Sequence, residues 1–178
     1  MGLDISVYKN LVETTNEDDD VIYTGNNSGF IYQLGNLKQN TYYSVESVDD
    51  FCVGSYSSYS EFRRILHSLI DNGKIEDFWN KYSYLVSTDY QVLKREDKLK
   101  RILDINYKSV DIPFLEIIDF SDCEGILSCE ICGKLYKDFI FYDSKAKNLN
   151  DEYFYGLYKR FTNATMIASE NNGCICYC

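Results

Sequence analysis

Serines, tyrosines and one arginine crowd a short stretch of this 178-residue chain. Gly54-Ser55-Tyr56-Ser57-Ser58-Tyr59, with Arg63 a turn further on, lies between the apolar run Phe51–Val53 and a segment of helical spacing. A small-residue turn feeding a helix start aims free backbone N–H groups and the positive dipole end at one spot, which suits an anion such as a phosphate. The hydroxyls add donors and the tyrosines add stacking faces. The turn is neither GxGxxG nor GxxxxGKS/T, so it carries no dinucleotide or P-loop signature. The plainer alternative is a well-capped helix start.

A second polar turn, Ser121-Asp122-Cys123-Glu124-Gly125, follows another apolar run, where α/β-type proteins tend to gather ligand groups. Asp122 and Glu124 can accept from ribose hydroxyls or base amino groups, hold a hydrated cation, or act as an acid/base pair. Here the plainer alternative is an Asx-type turn. Facing each other, the two turns would suit a small nucleotide, with phosphates at the helix start, a base on tyrosine and a sugar on the acids. The candidate ligand-binding residues are Gly54, Ser55, Tyr56, Ser57, Ser58, Tyr59, Arg63, Ser121, Asp122 and Glu124.

The other reactive residues form weaker sets. Cys129-x-x-Cys132 with Cys174-x-Cys176 has the composition of a zinc site. The second pair has the wrong spacing for a standard knuckle, and Cys132 falls on an apolar helix face, where cysteine is a small hydrophobe. Cys123 as a nucleophile needs a base. The only histidine, His67, falls on the outward face of its helix, and a serine triad meets the same obstacle. No catalytic residue, metal ligand or cofactor is assigned.

The elements that would position these residues are legible from periodicity. Leu3, Ile5 and Val7 alternate with polar residues, so a strand opens the chain, and Glu13 to Asp20 reads as an acidic loop. Val21–Thr24, Phe30–Leu34, Thr41–Val45 and Val48–Val53 are short β-prone runs separated by Asn/Gly turns, an antiparallel set of hairpins. Ser58-x-x-Glu61 fits a capping box opening a helix with Phe62, Ile65, Leu66, Leu69 and Ile70 inward, ended by Asn72-Gly73. Two further helices follow over Ile75–Val86 and Val92–Leu103. Phe114 to Phe120 is nearly all apolar and reads as a central strand. Ser128 opens a helix with Ile131, Cys132, Leu135, Phe139 and Tyr142 inward. Asn150 or Asp151 caps a last helix burying Phe154, Leu157, Tyr158, Phe161, Ala164 and Ala168, and Cys174 to Cys178 forms a terminal strand. The expected fold is α+β: N-terminal antiparallel strands with one central later strand, packed against four to five amphipathic helices in a single domain, residues 1–178.

Composition narrows the partners. A net charge of -10 argues against a long nucleic acid, whose phosphates need clustered Lys and Arg, yet allows a small phosphorylated or nucleotide-like ligand. No run approaches the ~18 to 20 apolar residues of a membrane helix and no signal peptide opens the chain. Seven cysteines, an odd number, fit a reduced, cytoplasmic protein.

Four pieces together resemble a family of small, mostly uncharacterised proteins from bacteriophages and bacterial genomes. They are MGLDI at the start, F-x-x-GSYSSYS-x-x-R (Phe51 to Arg63), F-x-E-x-I-x-FSDCEG (Phe114 to Gly125) and the closing strand from Asn172 to Tyr177. The resemblance implies an intracellular, phage-associated accessory protein. With the polar turns and abundant tyrosine, it leads to an anti-defence protein that sequesters a small nucleotide signal without catalysis, with a homo-oligomer open. Two alternatives stand beside it: an acidic protein–protein inhibitor or DNA-mimicking decoy of a host enzyme, and a metal-assisted phosphodiesterase using Asp122 and Glu124.

Overall fold

The computed structural model describes residues 2–15, 20–25, 32–70, 113–118 and 125–178. The fold is α+β. Among the described residues, six strands form one sheet: β1 (Leu3–Thr14), β2 (Val21–Tyr23), β3 (Tyr32–Leu34), β4 (Tyr42–Gly54), β5 (Gly125–Ser128) and β6 (Cys174–Tyr177), in the order β2-β4-β1-β6-β5-β3. The described helices are α1 (Tyr56–Ile70), the short α2 (Leu115–Ile118), α3 (Cys129–Lys147) and α4 (Glu152–Glu170).

The N-terminal strands are antiparallel as expected, but not as a chain of hairpins. Thr41–Val45 and Val48–Val53 are not two strands: residues 42 to 54 form one long β4 that pairs with β1 along its length. Glu13 and Thr14, expected in the loop, extend β1. β3 pairs in parallel with β5 at the far side of the sheet. The later central strand is β6, between β1 and β5, and it is buried along its whole length. The segment expected to be central, from Phe114, instead forms α2 over Leu115–Ile118. A nearly all-apolar run is equally at home in a buried helical turn, and periodicity cannot separate the two over so few residues.

Face alternation explains the two-sided core. Leu3, Ile5 and Val7 face the helices together with Phe51, Val53, Leu127, Ile175 and Tyr177. On the opposite face lie Leu11, Tyr43, Val45, Ile126, Cys174 and Cys176. A strict period of two would keep Leu11 beside Val7. The β1–β4 register shifts between Val7 and Tyr8 and again between Lys9 and Val12, and Asn10 is left-handed there with φ 56°. An extra residue at a bulge flips every later side chain to the other face.

The helix-side core is aromatic. Phe62 stacks on Phe161 at 5.1 Å and tilts on Phe154 at 5.4 Å, and Phe139 meets Tyr158 edge-on at 4.9 Å. Tyr158 donates to the Phe139 carbonyl at 2.6 Å, so its polar tip is satisfied inside. Helices α3 and α4 form a hairpin through residues 148–151, latched by Lys159 to Asp143 at 3.4 Å. Gly173, after α4, has no room for a side chain: a Cβ there would stand 2.1 Å from the Tyr8 carbonyl oxygen.

A buried ion pair anchors α2. Lys134 meets Glu116 at 2.6 Å and Asp138 at 3.3 Å, and Asp138 accepts from the Phe114 N–H at 2.9 Å. Phe114, fully buried, is held left-handed at φ 57°, a conformation that costs energy outside glycine. Burial pushes the Glu116 carboxyl above its ordinary value, against the pull of Lys134.

Candidate functional site

The cap of helix α1 lies three residues before the expected one. The Ser55 carbonyl accepts from the Tyr59 N–H at 3.0 Å, and Ser55 Oγ accepts from the Ser58 N–H at 3.2 Å, so Ser55 is the N-cap. Ser55 Oγ also lies 2.7 Å from Ser57 Oγ and 3.0 Å from Ser58 Oγ, a knot of three hydroxyls. Gly54 makes the turn from β4 with φ 95°, and a Cβ there would crowd Tyr153 Oη at 3.0 Å and Ser58 Oγ at 3.3 Å. The expected Ser58/Glu61 capping box is therefore corrected. Ser58 sits inside the first turn, and Glu61 faces Arg64, whose Nε approaches at 2.6 Å and holds the Glu61 carboxyl below its ordinary value.

No acidic residue occupies the first turn of α1. Within that turn the N-terminal dipole is met by neutral hydroxyls, a setting that leaves room for an incoming anion.

Beside this start lies a cavity of about 300 Å³ shared with the start of α4, at the lower end of small-ligand pockets. Its floor is Phe62, Ile65 and Phe154, and its polar rim is Ser57, Ser58, Glu61, Asp151 and Tyr153. Asp151 caps α4 by accepting from the Phe154 N–H at 2.9 Å. Tyr153 donates to the Val53 carbonyl at 3.0 Å, tying α4 to the end of β4.

The predicted residues separate around α1. Ser57 and Ser58 reach the cavity and Ser55 backs them, while Tyr56 is exposed. Tyr59 turns inward, fully buried, and donates to Tyr177 Oη at 3.2 Å. Arg63 lies on that inner side, its guanidinium carbon 4.8 Å from the Tyr59 ring centre, a cation–π distance. Tyr59 is thus a core residue, unavailable as a stacking surface.

His67, expected outward, is buried at 2% exposure. Helix α1 packs on α2, α3 and β4 rather than on one neighbour, so its buried arc is wider than its apolar stripe. Burial first, and then the Arg63 charge, push the His67 pKa down to about 4. The imidazole is neutral at pH 7.

Ser121, Asp122 and Glu124 lie outside the described residues, as do the helices expected over 75–86 and 92–103 and the end at Asn72-Gly73. The first described residue after that turn is Gly125. It pairs with Tyr177, Tyr177 with Ile5, and Ile5 with Phe51. The start of β5 and the end of β4, which leads into α1, therefore share one end of the sheet. Three strand spacings, about 14 Å, separate them.

Glu61, Asp151 and Tyr153 were missed as cavity residues. Asp151 was legible as a helix cap, but nothing in the spacing reveals that two helix starts nearly a hundred positions apart share a cavity. Among the described residues, no group of three or more His, Cys, Asp and Glu could hold a metal ion, and six cysteines are free thiols. No described helix is long and apolar enough to cross a membrane. Comparisons with protein-family models, curated proteins and solved structures return no match.

Proposed function

We propose that this protein binds and sequesters a small nucleotide-type ligand without converting it, using the serine-lined start of α1 and the adjoining cavity. The observation that carries the reading is the pairing of a helix start with no acid in its first turn and a cavity of ligand size. A phosphate would sit on the Ser55, Ser57 and Ser58 hydroxyls and the first N–H groups of α1. The uncharged part would lie on Phe62, Ile65 and Phe154. Glu61 and Asp151 keep phosphate out of the cavity itself and can accept from ribose hydroxyls or base amino groups.

A binding rather than a catalytic role is supported by the state of the one histidine, neutral and shielded from solvent in the interior. The resemblance to phage proteins supports placing the binding in an anti-defence role, as a sponge for a nucleotide signal.

A panel of cyclic nucleotides, ADP-ribose derivatives and nucleoside phosphates, screened by calorimetry and thermal shift, tests this. The expected outcome is binding of at least one, recovered chemically unchanged, and weakened about tenfold by Ser57→Ala/Ser58→Ala. No heat and no shift with any of them overturns the reading, and turnover of a bound nucleotide overturns the non-catalytic part.

A further inference from the structure

We propose that Cys174 and Cys176 form a two-coordinate site for a soft monovalent cation, Cu(I), on the sheet face opposite the α1 cavity. This goes beyond the nucleotide reading and does not depend on it. The two sulfurs lie 3.9 Å apart, buried on the same face of β6 in the cluster with Leu11, Tyr43 and Ile126. Metal–thiolate bonds of about 2.3 Å span sulfurs up to about 4.6 Å apart, so one ion bridges this pair with no movement of the backbone.

A disulfide is the competing use of two close thiols, and the strand opposes it. Residues two apart in a strand have Cα atoms about 6.7 Å apart, at the outer limit for a disulfide, whose sulfurs must close to about 2.05 Å. β6 cannot buckle to allow this, because its ladder is held by β1 on one side and β5 on the other. Zinc asks for four ligands, and no set of three or more is present among the described residues. Soft thiolates select Cu(I), which accepts two.

The chemistry balances without a redox step: Cu(I) replaces both S–H protons, two protons leave to solvent, and the bis-thiolate complex carries one negative charge.

The test is anaerobic titration of the reduced full-length chain with Cu(I) against a competing chelator, with ultraviolet thiolate-to-copper absorption as readout. The expected result is one ion per chain, with affinity rising about 100-fold per pH unit because two protons are displaced. Cys52→Ser/Cys178→Ser keeps the site, and Cys174→Ser and Cys176→Ser each lose it. Retention by both single variants, capture only through Cys52 and Cys178, or release of fewer than two protons overturns the proposal. The proton count is taken on the unsubstituted chain, so it decides the matter even if a variant misfolds.

Discussion

Two helix starts line the same cavity and solve the same problem in opposite ways. α4 closes its start with charge: Asp151 accepts from the Phe154 N–H, and Glu152 stands in the first turn. α1 closes its start with a neutral hydroxyl: Ser55 accepts from the Ser58 N–H, with no acid in the first turn. Both caps satisfy backbone donors, but only the carboxylates also cancel the dipole. Under the proposed reading, the serine cap, weaker as a staple, leaves the α1 start open to an anion, whereas the α4 start is closed to one.

The largest expected effect concerns the floor common to both starts. Phe154→Ala removes a buried ring from the aromatic core and should cost about 3–5 kcal/mol, read as a lower urea midpoint. A loss below 1 kcal/mol would mean that α4 is not seated where the comparison requires.

The inner side of α1 should show itself in pH dependence. His67 has its pKa lowered from 6.5 to about 4, so between those values the unfolded chain binds more protons. Stability contributed by the neutral imidazole is fully present above pH 6.5 and is lost as pH falls toward 4, by up to about 3 kcal/mol. Urea unfolding from pH 7 to 4 should show this slope, and His67→Gln should flatten it. An unchanged slope would place His67 in water.

The caps themselves come next. Asp151→Ala should cost about 1–2 kcal/mol and Ser55→Ala about 0.5–1 kcal/mol, measured as paired chemical unfolding curves, with the order reversed only if dipole compensation at α4 counts for nothing. The smallest change in stability is also the sharpest test. Ser55→Asp gives α1 the kind of cap that α4 has, so it should raise stability by about 0.3–1 kcal/mol while cutting affinity for a phosphorylated ligand. Equal affinity in that variant would separate ligand binding from the α1 start.

Much of the architecture was legible because it rests on local periodicity. The inward face of α4 (Phe154, Leu157, Tyr158, Phe161, Ala164 and Ala168) is buried as its spacing required, and Asp151 caps it. The serine turn was legible for the same local reason. What failed was local evidence without local uniqueness: Phe114–Ile118 is apolar enough for a strand or a helical turn, and only the Asp138 acceptor and the Lys134 ion pair place it as α2. Ser58 and Ser55 were equally good caps by composition, and the left-handed turn at Gly54 fixed the earlier one.

Residue types a few positions apart were enough to read the class of fold, the amphipathic faces and the hydroxyl-rich helix start. Tertiary structure alone decided that Tyr59 and His67 are interior, that Asp151 and Glu61 join Ser57 and Ser58 around one cavity, and that Cys174 and Cys176 face away from it. The physical reason is that burial and cavities depend on which surfaces meet, and those surfaces belong to segments brought together by strand pairing across the whole chain.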